Sequence, residues 1–231
     1  MDARIALHRL DEVAPAALAA TADRLEAEPA ARLARMARPA SRRRFLAAQT
    51  LLQGHLAKLV GGPPGRLRMA RDRHGKPRLV DHPQLHFSLS HSGDWILIAS
   101  APVELGVDLE GRFGPERSHL AEAILDRETL ERWRSLPEAA KVATLARAWC
   151  AREAVLKLDG RGLGLAPSSL RLPLSLPAVA CWDGGRRRAQ VIALDAPAGF
   201  AACLASYVPV RPRWIAGRPT RLHCAPDSVP D

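Results

Sequence analysis

The sequence is poor in aromatic residues and has no long apolar stretch. Only 4% of its 231 residues are Phe, Trp or Tyr, whereas modules that bind single-stranded nucleic acid combine basic residues with aromatic ones on which bases stack. No apolar run reaches the roughly 18 residues that cross a bilayer, and the N-terminus lacks the apolar region of a signal peptide. We therefore expect neither a nucleic-acid-binding module nor a membrane protein, and predict a cytoplasmic location.

Cysteine and lysine are also scarce. The cysteines form no CxxC pair, so neither a zinc knuckle nor a dithiol motif is indicated; they are Cys150, Cys181, Cys203 and Cys224. Cys150 lies within an amphipathic helical pattern, which is typical of a buried, reduced thiol. Only four of the 34 basic residues are Lys, and in such a chain a lysine hints at a position that needs a compact, titratable ammonium.

Acidic residues are outnumbered by basic ones, and the formal net charge is +10. The surplus is larger in residues 1–103, with 16 basic and 9 acidic side chains, than in residues 104–231, with 18 and 15. A surplus of this kind predicts an anionic partner such as a phosphorylated ligand, an acidic protein, nucleic acid or a membrane surface. A merely arginine-rich composition is the alternative that the charge alone leaves open.

Helical and strand-like patterns alternate twice along the chain. Residues 14–60 are mostly helical in pattern, and short strand-like segments follow up to residue 110. Residues 115–158 are helical again, and strand-like segments follow from 168 to 207. This order predicts an α+β fold of two similar halves. We assign residues 1–103 to an N-terminal half, 104–208 to a C-terminal half and 209–231 to a proline-rich tail.

The strand-like segment ELGVDLEGR, residues 104–112, places acidic residues on one face. Asp108 and Glu110 are two apart, so their Cβ atoms lie about 7 Å from each other and their charges raise each other's pKa. A basic cross-strand neighbour or a divalent cation would relieve this repulsion, and simple solvation is the third possibility. Gly106 on the same face leaves open space, as a ligand site would. Oxygen ligands favour Mg²⁺ or Mn²⁺ over zinc.

A third carboxylate lies in the helical segment 137–158. Glu153 and Lys157 are four residues apart and share a helix face. Trp149, close to the same face, indicates that this face is partly buried. A surface ion pair between Glu153 and Lys157 is the simpler interpretation, and a shared site with the acidic strand is the other.

Two turns carry further polar residues. Ser90 and His91 precede a Gly93-Asp94 hairpin turn. At this position they could contact a phosphate or a metal-bound water, or they could be polar residues that serve only the structure of the turn. A hydrolase dyad of Ser90 and His91 is disfavoured, because adjacent strand residues point to opposite faces. Lys76 lies in the turn HGKP at 74–77, where a lysine is usually solvated.

Four stretches, taken in their order and spacing, resemble the motif set of one enzyme family. They are GKP at 75–77, FSLSHSGDW at 87–95, LGVDLE at 105–110 and WCAREAVLK at 149–157. The set resembles that of the 4′-phosphopantetheinyl transferases, and in particular their two-domain, surfactin-synthetase-activating type. The resemblance spans roughly residues 40–207.

The resemblance implies a fold, a reaction and partners. The fold would be two α+β halves related by a pseudo-twofold axis, with the active site in the cleft between them. A coenzyme A-binding N-terminal half would face a C-terminal half with the metal site and the carrier-protein side. The enzyme would be a monomer that uses Mg²⁺, or Mn²⁺, to move the phosphopantetheine arm of coenzyme A onto a serine of an acyl or peptidyl carrier protein. Neither nucleic acid nor a membrane is an implied partner.

Residue roles follow from the same resemblance. The metal ligands would be Asp108, Glu110 and Glu153. The catalytic residues would be Glu153, which takes the serine proton directly or through water, Lys157, which protonates the leaving group, and His91, which adds positive charge. Contacts to coenzyme A would come from Lys76, Ser90, His91, Lys157 and, near the 3′-phosphate, Arg43 and Arg44. Arg152, where many relatives have Lys, keeps the charge and is expected to serve a phosphate or the carrier.

Two other classes remain as alternatives. A metal-dependent phosphodiesterase or nuclease would use the same carboxylates and basic surface to hydrolyse a phosphodiester without a carrier protein. A basic nucleic-acid-binding module would bind DNA or RNA with steep salt dependence. The arginine runs at 42–44 and 186–188 are short for such a module, and only ten aromatic residues are present.

Overall fold

The computed structural model of the chain describes residues 1–111 and 113–219. Within the second range, Leu163 is described by its backbone alone. These residues form two halves of similar plan, each with one 22-residue helix and one four-stranded sheet. The predicted α+β class with two similar halves is confirmed. No helix within these two ranges is both long and apolar enough to cross a membrane.

The N-terminal half is built around the long helix α3. Its elements are β1 (Asp2–Arg9), α1 (Pro15–Ala22), α2 (Ala27–Ala34), α3 (Pro39–Val60), β2 (Met69–Arg71), β3 (Pro77–Leu79), β4 (His86–Ser92) and β5 (Trp95–Ala101). Proline at the first turn and Gly61 with φ +76° at the end delimit α3. Leu52 and Leu56 of α3 pack on Phe87 and Ile98 of the sheet, so hydrophobic burial holds helix and sheet together.

The C-terminal half is built around α6. Its elements are β6 (Leu105–Gly111), α4 (Ala121–Ile124), α5 (Arg127–Arg134), α6 (Glu138–Asp159), β7 (Ala178–Trp182), β8 (Arg187–Leu194) and β9 (Phe200–Ser206), and the strand that follows, β10 (Arg211–Ala216), joins the sheet of the N-terminal half. Strands β6 to β9 form an antiparallel sheet in the order β6-β9-β8-β7. Cys150 of α6 is a buried free thiol, as predicted, and Cys224 lies outside the described residues.

Strand β6 is buried on both faces. Leu105, Val107 and Leu109 pack with residues of the first sheet. On the opposite face a Cβ on Gly106 would overlap the carbonyl oxygen of Ala154 and the backbone of α6. The predicted open space at Gly106 is therefore wrong: the missing side chain admits the backbone of α6, not a ligand.

Side chains rather than a backbone ladder join β4 to β6. Ser88 Oγ accepts a hydrogen bond from the Val107 amide at 3.0 Å, and Ser92 Oγ accepts one from the Gly111 amide at 3.0 Å. Because side chains alternate along a strand, these serines and Ser90 between them lie on one face of β4. The hydroxyls thus satisfy polar groups of β6 where the two halves meet.

Two terminal strands were not expected. Strand β1 lies inside the first sheet, whose order is β10-β1-β5-β4, and β10 pairs parallel to β1. The predicted tail at 209–231 is therefore wrong for residues 211–216. Pro212 is tolerated there because β10 is an edge strand with one neighbour. Residues 220–231 lie outside the described residues.

Candidate active site

A cavity of about 420 Å³ lies between the two halves, within the size range of small-molecule sites. Helix α6 and the loop that follows it contribute one wall, and the N-terminal half contributes the other. Its polar and glycine lining residues are Arg32, Gln49, Arg71, His74, Gly75, Lys76, Ser88, Glu153, Lys157, Gly160 and Gly162. Of the predicted site residues it thus brings together Lys76, Glu153 and Lys157.

Asp108 lies where both sheets meet α6. Its buried side chain accepts hydrogen bonds at Oδ1 from Ser90 Oγ at 2.7 Å and from Lys157 Nζ at 2.6 Å. Lys157 Nζ also donates to Ser90 Oγ at 2.8 Å. Strands β4 and β6 and helix α6 therefore each supply one member of a polar triangle, and three predicted site residues meet there.

The positive charge beside Asp108 comes from the helix. On β9, Cys203 is the cross-strand neighbour of Asp108, and Ala201 is that of Glu110. The neighbouring strand therefore supplies no basic partner to either carboxylate. Lys157 pairs with Asp108, and within the described ranges no ion pair joins it to Glu153. The surface-pair interpretation of Glu153 and Lys157 is therefore wrong.

Glu110 and Glu153 are half-buried carboxylates near Asp108. Burial raises the pKa of Glu110, and the charges of Asp108 and Glu153 add to the rise, against the nearby Arg117. Burial also raises the pKa of Glu153; Lys157 opposes this shift and Asp108 adds to it. The carboxylates are close enough to repel one another, which is a situation that a bound cation would relieve.

The donor set suits Mg²⁺ or Mn²⁺ in its chemistry. Asp108, Glu110 and Glu153 offer only oxygen ligands, and Oδ2 of Asp108 is buried without a hydrogen-bond partner among the described residues. In residues 1–111 and 113–219, no three His, Cys, Asp or Glu side chains already form a metal-binding group. Binding an ion thus requires these side chains to rearrange, and the metal site stays a prediction.

His91 and Arg44 of α3 lie at the hairpin turn between β4 and β5. His91 is only partly exposed, and the protein around its imidazole, together with the charges of Lys157 and Arg44, lowers its pKa. Arg44 Nε donates to the carbonyl of Gly93 at 3.1 Å, whereas Arg43 is exposed. His91 and Arg44 thus place basic groups beside the polar triangle.

Lys76 forms hydrogen bonds within the protein. Its ammonium donates to Glu104 Oε2 at 2.6 Å, to the Leu158 carbonyl at 3.0 Å and to the Leu105 carbonyl at 3.3 Å. An ammonium has three N–H groups, and all three have acceptors within the protein. In this structure the ammonium of Lys76 is thus engaged by the protein, and its phosphate contact stays a prediction.

Arg152 is fully buried on the far side of α6. It donates through Nη2 to Asp126 Oδ2 at 3.0 Å and to the Leu172 carbonyl at 3.1 Å. Burial lowers its pKa to about 10, with Asp126 opposing the shift. The predicted contact of Arg152 with a phosphate or a carrier is therefore wrong, because the side chain ties α6 to the start of α5.

Sequence reasoning missed five polar residues of the cavity, one of them Ser88 of strand β4. His74 is the first residue of the HGKP turn and Arg71 lies three positions before it, so that motif was a signal that could have found them. Arg32 and Gln49 lie on helical segments without a local motif, and Arg32 stacks over the ring of Phe45 at 5.5 Å. Only the packing of α2 and α3 brings these last two to the cavity.

Two family models match adjacent parts of the chain. Residues 104–205 match the 4′-phosphopantetheinyl transferase superfamily. Residues 13–103 match the model described as 4′-phosphopantetheinyl transferase, N-terminal. The two matches meet at the start of the segment that carries Asp108.

Curated relatives bear the same name. The chain is 29% identical to 4′-phosphopantetheinyl transferase psf-1 of Bacillus pumilus over 133 residues, which cover 58% of this chain and 57% of the relative. It is 35% identical to 4′-phosphopantetheinyl transferase HetI of a Nostoc species over 151 residues, 63% of this chain and 62% of the relative. The chain thus spans less than two thirds of the length of these relatives. With one family matched across both halves, the chain belongs to the 4′-phosphopantetheinyl transferase superfamily.

Proposed function

We propose that this chain transfers the 4′-phosphopantetheine group from coenzyme A to a serine of an apo carrier protein and releases adenosine 3′,5′-bisphosphate. The observation that carries the proposal is the triangle of Asp108, Ser90 and Lys157, next to two carboxylates of raised pKa. Such a cluster of acidic and basic groups beside a cavity is typical of an enzyme site.

The reaction exchanges one phosphorus–oxygen bond for another. The serine oxygen of the carrier forms a bond to the β-phosphorus of coenzyme A, while the bond from that phosphorus to the bridging oxygen breaks. Glu153 takes the serine proton directly or through water, since its raised pKa makes it a stronger base. Lys157 gives a proton to the oxygen of the departing bisphosphate. No covalent intermediate with the enzyme is needed.

Three carboxylates would repel a polyanionic substrate without positive neighbours. A divalent cation, held by Asp108, Glu110 and Glu153, would supply the charge that stabilises the pyrophosphate as it cleaves. Lys157 and His91 add positive charge from the chain itself.

The start of α3 is the part of the proposed site that would bind the other end of coenzyme A. Arg43 and Arg44 are proposed to bind the 3′-phosphate, and the bond from Arg44 to the Gly93 carbonyl orients one guanidinium beforehand. The N-terminal half would then bind coenzyme A, and the C-terminal half would receive the carrier. A cytoplasmic monomer is part of the proposal.

The test is transfer itself. The protein, coenzyme A, MgCl₂ and several apo carrier proteins are incubated together, and each carrier is weighed by mass spectrometry. We expect a carrier to gain one phosphopantetheine group, and the Asp108→Asn and Glu153→Gln variants to lose this activity. Asp81→Asn, which alters an exposed ion pair with Arg68, is the matched control. Unmodified carriers throughout would overturn the proposal, and hydrolysis of phosphodiesters without a carrier would favour the phosphodiesterase.

A further inference from the structure

Lys76 connects three segments from both halves of the molecule. Its side chain is only 10% exposed. The three acceptors of its ammonium are the carboxylate of Glu104, the carbonyl of Leu105 at the start of β6 and the carbonyl of Leu158 near the end of α6. A cation is favourable at this end of a helix, because the unpaired carbonyls there carry partial negative charge.

Glu104 is the counterpart of Lys76 and is approached by two further nitrogen-bearing side chains. Besides Lys76 Nζ at 2.6 Å, it is approached by His86 Nδ1 at 3.2 Å and by Arg78 Nη2 at 3.4 Å. Glu104 precedes β6, whereas all three of its partners belong to the N-terminal half. The pair therefore crosses the boundary between the halves.

The turn that carries Lys76 is stiff. Asp72 Oδ1 accepts hydrogen bonds from the amides of His74 at 2.8 Å and Lys76 at 3.0 Å, and Gly75 adopts φ +89°. A braced turn moves as one body, so the contacts of Lys76 determine where the whole turn lies. His74 and Gly75 line the cavity together with Glu153 and Lys157 of α6.

We propose that Lys76 and Glu104 are a positioning pair that sets the distance between the two walls of the cavity. The bond from Lys76 to the Leu158 carbonyl holds the turn at 72–77 against the helix that carries Glu153 and Lys157. This inference rests on the proposed function, since coenzyme A is the ligand whose fit the spacing controls. Lys76 acts through the position of the turn and touches no substrate.

A direct contact between Lys76 and a phosphate is the rival account, and it makes a different prediction. A contact with the 3′-phosphate would lose energy only with ligands that carry that phosphate. A contact with the pyrophosphate would weaken both ligands in Lys76→Met but neither in Glu104→Gln. A change in cavity width would weaken the binding of coenzyme A and of its 3′-dephosphorylated form alike. Removal of Glu104 would then have the same kind of effect as removal of Lys76.

The experiment compares Lys76→Met, Glu104→Gln and the double variant, with Asp81→Asn as control for an ion pair on the same hairpin. Hydrogen exchange of the amides of residues 71–77 is measured in the free protein. Binding of coenzyme A and of 3′-dephospho-coenzyme A is measured by calorimetry. We expect Lys76→Met and Glu104→Gln to speed exchange and to weaken both ligands about tenfold, the double variant to be no worse than Lys76→Met, and the control to change nothing.

Two results would overturn the positioning role. One is unchanged exchange and unchanged affinity in Glu104→Gln. The other is a Lys76→Met variant whose loss of affinity is confined to coenzyme A and absent with the dephosphorylated ligand. A parent protein that binds neither ligand would instead overturn the proposed function and the ligand assignment, while the exchange rates still decide whether the pair holds the turn.

Discussion

The ammonium of Lys157 lies 2.6 Å from Oδ1 of Asp108, whose side chain is 5% exposed. The pair joins the middle of β6 to the last turns of α6 and is completed by Ser90. Removal of one partner from a buried ion pair leaves an uncompensated charge, which costs more than the pair itself contributes. The same contact therefore links the stability of the fold to the proposed chemistry.

Replacement of Lys157 should reduce stability and activity together. We expect Lys157→Met to lower the free energy of unfolding by about 3 kcal/mol, because Asp108 stays buried without its counter-charge. Transfer should fall at least about 100-fold, because the proton donor is lost. Urea denaturation and the carrier assay measure the two effects.

Arg132→Met on the neighbouring helix α5 is the control. Arg132 pairs with Glu128, both exposed, and loss of such a pair costs about 0.5 kcal/mol. Equal stability of the two variants would contradict the role of the buried pair.

A methyl group at residue 106 should separate α6 from β6. In Gly106→Ala the new Cβ would overlap the backbone of Ala154 and Leu158, and backbone atoms cannot move aside as a flexible side chain can. We expect a loss of about 3 kcal/mol or more in the free energy of unfolding. Gly54→Ala in α3 is the matched control, since a Cβ there meets nothing within 4 Å and should stabilise the helix by up to about 1 kcal/mol. A neutral Gly106→Ala would show that the helix does not approach so closely.

Arg152→Met should damage the fold and spare ligand binding. The change leaves Asp126 without its buried partner, and we expect a loss of about 3 kcal/mol in unfolding free energy. The KM for coenzyme A, measured well below the melting temperature, should stay unchanged because Arg152 is not exposed. A raised KM with intact stability would restore the phosphate contact that the structure contradicts. Arg127→Met, at an exposed pair with Glu131, controls for the loss of an arginine.

His55 should make the fold sensitive to acid. It is buried, with Nε2 2.9 Å from Ser100 Oγ, and burial lowers its pKa from 6.5 to about 4, with smaller contributions from nearby positive groups. Between these values the unfolded chain binds more protons than the folded one. The stability is therefore complete above pH 6.5 and falls as the pH drops toward about 4.

The measurement is the free energy of unfolding by denaturant at several pH values. The parent protein should lose on the order of 3 kcal/mol through His55 across this window, and His55→Gln should lack this component. An identical pH dependence in both proteins would refute the assignment. His119→Gln, at an exposed imidazole, controls for the loss of a histidine.

Local patterns were sufficient for the helices and hairpins. The periodic apolar residues of α3 and α6, and the glycines that end them, are visible in the sequence. The Gly93-Asp94 turn likewise predicted the pairing of β4 with β5, which the structure confirms. Strands β1 and β10 were missed because their parallel pairing joins the two ends of the chain, and no local signal reports such a partner.

The site residues likewise fall into those that the sequence predicted and those whose partners only the structure revealed. Asp108, Ser90 and Lys157 were found from motifs, and the structure brings them together. Lys76 and Arg152 were assigned to ligands because a charged residue in a motif suggests a charged partner. Their partners are instead Glu104 and Asp126, which lie 28 and 26 positions away in the chain.

By itself, the sequence determined the α+β class, the two-halved order and the residue types that a phosphoryl-transfer site needs, because helix periodicity, turn chemistry and motif spacing are local properties. Only the tertiary structure decided which charged side chains line the cavity and which are paired within the protein. That choice depends on the rotation of α6 against β6: it turns Lys157 toward Asp108 and buries Arg152, five positions earlier, on the opposite side. Residues five apart on an α-helix point in different directions, so the packing partner of each face, rather than its charge, sets its role.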